Sequence, residues 1–141
     1  TLFYRKLFMH NALNLIGRIL LAAFFLPAGL SQLSGFEGPD GYITSVGFPL
    51  PTVAAAAAIA VEILGSVALI VGFQTRIIAA VLAVFTVVAS VFFHAFWAAA
   101  PEQAFVQQLL FFKNIGVIGG LLVLVSSGAG AWSIDAKKAA Q

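Results

Sequence analysis

A chain of 141 residues that is 62% hydrophobic and only 9% charged departs from the roughly 45–50% apolar and 25% charged make-up of soluble domains, and reads as a single polytopic membrane domain. The absence of cysteine excludes disulfides, thiolate metal sites, CxxC redox chemistry and iron–sulfur clusters. The formal net charge of +2 comes without a basic stripe or an RNA-binding motif. The expected partner is the lipid bilayer, not nucleic acid.

Four apolar segments reach the roughly 20 residues that a spanning helix needs: residues 13–33, 52–73, 77–99 and 105–125. The predicted fold is all-α, an antiparallel bundle of four transmembrane helices in one domain covering residues 1–141, with an outer loop at 34–51. The first segment, with Arg5-Lys6 before the run Ile19–Leu26, resembles a signal peptide. Its apolar stretch from Leu13 to Leu33 is too long for a secretory core, so it is read as a retained span. Pro27 is expected to kink that span. Gln74-Thr75-Arg76 makes a tight hairpin of the second and third spans. Gly65, Gly72, Gly116, Gly119 and Gly120 offer small faces for close helix packing.

Charge sets the orientation. Arg5, Lys6, Arg18, Arg76, Lys137 and Lys138 fall on one side, whereas the other carries Glu37, Asp40 and Glu102 and no Lys or Arg. The positive-inside rule then puts both termini in the cytoplasm. Arg18 and Arg76 are read as charges of the cytoplasmic side, Arg18 snorkelling to the interface. Trp97 and Tyr42 at the outer boundary, with Tyr4 and Trp132 at the inner one, fit interfacial anchors.

Glu62 and Lys113 stand out because each interrupts an apolar span. A charge at the centre of a spanning helix costs roughly 2.5–3.5 kcal/mol on insertion scales, so each should be paired, hydrated or neutralised. At a rise of about 1.5 Å per residue, both sit near mid-membrane, and they can meet if their helices are neighbours. Thr86, Ser90 and His94 recur every four residues along the third span, and Glu62 and Ser66 do the same on the second. Gln32 lies near the outer end of the first span, and Asn114 follows Lys113 at about 100° round the helix. Glu62, Lys113, His94, Asn114, Gln32, Ser66 and Ser90 therefore outline an intramembrane polar pocket, a funnel opening outward. A structural reading stands beside it: Glu62–Lys113 as a register-fixing ion pair, Gln32 as a helix bridge, His94 as a hydrogen-bonded anchor.

Other chemistries find little support. His10 and His94 are the two histidines, and most of the bilayer, roughly 25 Å, separates them, so one haem cannot take both. No metal-ligand cluster, HExxH, P-loop or dinucleotide fingerprint is present.

Gly17-Arg18-Ile-Leu-Leu, Ala28-Gly29-Leu-Ser-Gln32-Leu, Gly47-Phe-Pro49, Glu62-Ile-Leu-Gly65, Gly72-Phe-Gln-Thr-Arg76, His94-Ala-Phe-Trp97, Lys113-Asn114-Ile-Gly-Val-Ile-Gly119-Gly120 and Ser133-Ile-Asp135 together resemble the DoxX family. The resemblance runs from about Gly17 to Asp135. It implies a four-helix bacterial membrane protein with cytoplasmic termini, in a family named after a small subunit of a thiosulfate:quinone oxidoreductase. Its matching polar positions here are Arg18, Glu62, Arg76, His94, Lys113 and Asn114. Where relatives often carry Lys in a Gly-x-x-Lys-Leu stretch, this chain has Gln32.

The leading expectation is a redox-linked subunit whose outward pocket receives a quinone head group. In it, His94 and Gln32 bond a carbonyl while Glu62 and Lys113 relay or balance a proton. The chain would hold no covalent cofactor or redox centre of its own, and electrons would come from other membrane or peripheral redox subunits. The alternative is a non-catalytic scaffold or assembly subunit, with glycine faces and the 34–51 loop docking partners. A small proton-coupled carrier fits less well, for want of broken-helix repeats.

Overall fold

The computed structural model describes residues 1–34, 47 and 49–141. The loop charges Glu37 and Asp40 and the anchor Tyr42 lie outside the described residues. Four helices are long and apolar enough to cross a membrane. We number them α1 (Leu2–Ser34), α2 (Pro51–Val71), α3 (Thr75–Phe93) and α4 (Pro101–Ser127), followed by a short α5 (Ile134–Ala139). A 3₁₀ turn, Phe96–Ala98, joins α3 to α4.

Local chemistry sets the boundaries. Pro51 and Pro101 open α2 and α4, where a missing backbone N–H costs nothing. Gly72 closes α2 at φ 72°, its N–H reaching the Leu69 carbonyl while that of Phe73 reaches Ala68. The next residue, Gln74, is also left-handed at φ 47°, so α3 reverses direction within three residues. Helix α4 opens at Pro101, four residues before the expected span, and two boundaries differ more widely from the sequence reading. Helix α1 begins at Leu2, eleven residues before the expected span, because nothing between Leu2 and Pro27 breaks a helix. It runs on through Pro27 to Ser34. Helix α3 ends at Phe93, not residue 99, where His94 leaves helical geometry at φ −128°.

The helices pack unequally. Helix α1 lies along α2 and α3 along α4, α2 meets α3 less extensively, and α1 barely touches α4. The apolar core is built from Phe25, Leu69, Ala79, Leu82, Ala83, Leu121 and Leu124. It fills the half of the bundle toward the α2–α3 turn, which we call the termini end because α1 begins and α4 ends there. From mid-depth to the opposite, loop end, the buried residues are Gly29, Ala55, Glu62, Thr86, Ser90 and Asn114. The larger apolar side chains thus gather in one half, and polar ties hold the other.

Candidate functional site

Glu62 faces α1 at the level of Gly29 and is only 5% exposed. A Cβ on Gly29 would come within 2.9 Å of the Glu62 Cβ and 2.8 Å of Ile63, so the glycine is what lets the two helices close on the carboxyl. One turn nearer the loop end, the Gln32 side-chain amide donates to both carboxyl oxygens, at 3.3 and 3.2 Å. Ser66 does not join them. Its hydroxyl donates to the Glu62 backbone carbonyl, the usual resort of a serine inside an apolar helix.

The α3–α4 hairpin carries two further ties. Asn114, buried, donates to the Ser90 hydroxyl at 3.1 Å, and that hydroxyl donates to the Thr86 carbonyl. Toward the loop end, His94 Nδ1 lies 2.9 Å from Gln107 Oε1, next to the edge-to-face rings of Phe96, Trp97 and Phe111. Gln107 is absent from the sequence-derived set. Its place was hard to read, because His94 ends α3 at the turn itself whereas Gln107 is the seventh residue of α4.

Lys113 corrects the expected ion pair. With Asn114 turned into α3, Lys113 leaves α4 about 100° away, on the side where α1 and α4 barely meet. Its side chain is exposed, and the ammonium stands 5.2 Å above the Phe24 ring, a cation–π contact. Glu62 is instead bonded by Gln32. The polar residues therefore pair off two by two and do not converge on one space.

A second cluster lies at the termini end, and here Arg18 departs from the snorkelling role. It is 1% exposed. Its guanidinium donates to the carbonyls of Leu69 and Ile70 at 3.0 and 3.1 Å, to that of Trp132, and to Asn14 Oδ1 at 2.9 Å. The cation thus sits on the last carbonyls of α2, the negative end of that helix. Asp135 does the converse for α3: its two oxygens accept the N–H groups of Gln74 and Thr75 at 2.7 and 2.8 Å. Burial alone would push the Asp135 carboxyl up. The hydrogen bonds from Thr75 and Gln74, with the Lys138 charge, outweigh it and hold the group below its ordinary value. Asn14 donates to the Gly128 carbonyl and Asn11 accepts from the Ala131 N–H. Arg76 is exposed and donates to the Ser127 carbonyl at 3.5 Å. Asn11, Asn14, Trp132 and Asp135 were not foreseen in these roles, because each meets a partner far away in sequence.

Comparison with known proteins gives the family. A family model described as DoxX matches residues 13–95. The chain belongs to the DoxX family. It is 32% identical over 123 residues to the inner membrane protein YphA of Escherichia coli, covering 87% of this chain and 88% of that protein. It is 36% identical over 124 residues to the inner membrane protein YqjF of the same organism, covering 86% and 88%. A more distant match, to a Surfeit locus protein 4 homolog of Schizosaccharomyces pombe, is 30% identical and covers 89% of this DoxX protein but 37% of the yeast one. No solved structure matches the chain.

Proposed function

We propose that this DoxX protein is a non-catalytic subunit of a larger assembly in the bacterial inner membrane, with both termini cytoplasmic. One observation carries the reading. The polar side chains from mid-depth to the loop end are engaged in helix-to-helix ties, Gln32–Glu62, Asn114–Ser90 and His94–Gln107, while Lys113 holds its ammonium out on a lateral face. Ties of that kind fix helix register, and an outward-facing cation is available to something within the bilayer. The orientation draws on the basic residues gathered at the termini end, and the compartment on the inner-membrane relatives.

The test is extraction of the tagged protein from native membranes in mild detergent, followed by native electrophoresis and identification of the co-migrating chains. The expected result is a stable assembly with other membrane proteins, and migration as a lone 14.8 kDa chain in its micelle would refute it. A second, redox-linked reading takes its support from Lys113 over Phe24 beside the open α1–α4 seam. There a quinone head could accept a hydrogen bond from the ammonium and lie against the ring. Solvent extraction of the purified protein and analysis for quinone tests that reading.

A further inference from the structure

Helix α4 carries a packing seam that no described residue covers. Val106, Leu109, Lys113, Gly116, Gly120 and Val123 follow the alternating three- and four-residue steps of a helix-packing stripe, and all six are exposed. A Cβ at Gly116 would meet nothing within 4 Å, and one at Gly120 would meet only Leu21, at 3.6 Å. Glycine weakens an exposed helix, so at these two positions it gains no contact within this chain that would offset the loss. What glycine does offer is close approach by another helix. On that stripe at mid-depth sits the Lys113 ammonium, with the Phe24 ring beside it and no acceptor oxygen within bonding distance among the described residues.

We infer that this seam receives a transmembrane helix of a different protein, one bearing an Asp or Glu at mid-membrane that pairs with Lys113. Charge decides the occupant. A second copy related by a two-fold axis along the membrane normal would bring the two α4 seams together in parallel and set Lys113 against Lys113. This chain's own mid-membrane carboxyl, Glu62, is buried and held by Gln32. A partner carboxylate supplies the missing acceptor, and Gly116 and Gly120 let its helix come close enough to do so. This inference rests on the subunit reading above and adds the face and the chemistry of the partner.

The experiment is photo-crosslinking in native membranes of the full chain, with p-benzoylphenylalanine replacing Leu109 on the seam or Leu122 on the far side of α4. Both positions are exposed. Leu109 should give one discrete adduct whose partner, identified by mass spectrometry, carries a mid-membrane acid, and Leu122 should give none. The adduct should fall about tenfold in Lys113→Leu and in Gly116→Leu, and persist in Lys113→Arg. Lys113→Glu should abolish it, and changing the partner's acid to Lys should restore it. The inference is overturned if Leu109 captures only lipid, quinone or a second copy, or if Lys113→Leu leaves the adduct unchanged. A complex that survives on native gels in Lys113→Leu and Gly116→Leu refutes this seam while leaving the subunit reading intact.

Discussion

Asp135 caps a helix sixty residues earlier in the chain, accepting the Thr75 N–H at 2.8 Å through one oxygen and the Gln74 N–H at 2.7 Å through the other. Helix α3 has no side-chain cap of its own, so this contact is its N-terminal closure, and it ties the segment after α4 to the α2–α3 turn.

Asp135→Ala should therefore cost about 1 kcal/mol, the usual worth of an N-cap. The pH dependence has a definite sign. A carboxyl held below its ordinary value in the folded state contributes stability above the unfolded value and loses it as pH falls through the folded one. The wild-type melting temperature in detergent should drop between about pH 5 and pH 3 by more than that of Asp135→Asn. Parallel curves for the two proteins would refute the cap's electrostatic part.

Arg18 is the least replaceable polar residue described here. Lysine offers a point charge where a planar fork now reaches the carbonyls of Leu69, Ile70 and Trp132. We expect Arg18→Lys to destabilise by about 3 kcal/mol, since each buried hydrogen bond to a charged group is worth about 1.5–3 kcal/mol. Thermal unfolding in a mild detergent measures it. A loss below about 1 kcal/mol would return Arg18 to the snorkelling role.

Glu62 and Lys113 should behave as strangers. A double-mutant cycle with Glu62→Gln and Lys113→Leu should give a coupling energy within about 0.5 kcal/mol of zero. Glu62→Gln alone should keep the fold, because Gln32 can bond a carboxamide as well as a carboxyl. A coupling beyond about 1 kcal/mol would reinstate the ion pair.

Two glycines should respond in opposite ways. Gly29→Leu drives a side chain into Ile63 and Glu62 and should cost about 1–3 kcal/mol, as overpacking does. Gly116→Ala has open space around it and should leave the isolated chain unchanged or stabilise it by up to about 1 kcal/mol. Unfolding of both variants in the same detergent makes the comparison.

The four spans could be read in the sequence because bilayer thickness and hydrophobicity act on contiguous residues. So could Asn114 and Ser90 as inward groups, since helical spacing places them. The partner of each polar residue was less legible. Lys113 and Glu62 share a depth, but their rotation about the helix axes follows from Asn114 locking α4 to α3 and Gly29 admitting α2 to α1, which hydropathy does not reveal. Arg18 looked like a boundary charge because its acceptors are backbone carbonyls, and carbonyls leave no mark in a sequence. Asp135 was hidden for the related reason that it caps peptide N–H groups.

The return of the stretch from Gly128 to Asp135 onto the α2–α3 turn also bears on synthesis. Chain emerging late supplies the groups that finish a hairpin inserted much earlier, with Asp135 on the start of α3 and the Trp132 carbonyl completing the set around Arg18. Until those residues leave the ribosome, Arg18 can already hold α1 to the end of α2, but it lacks one of its acceptors and the start of α3 lacks its cap.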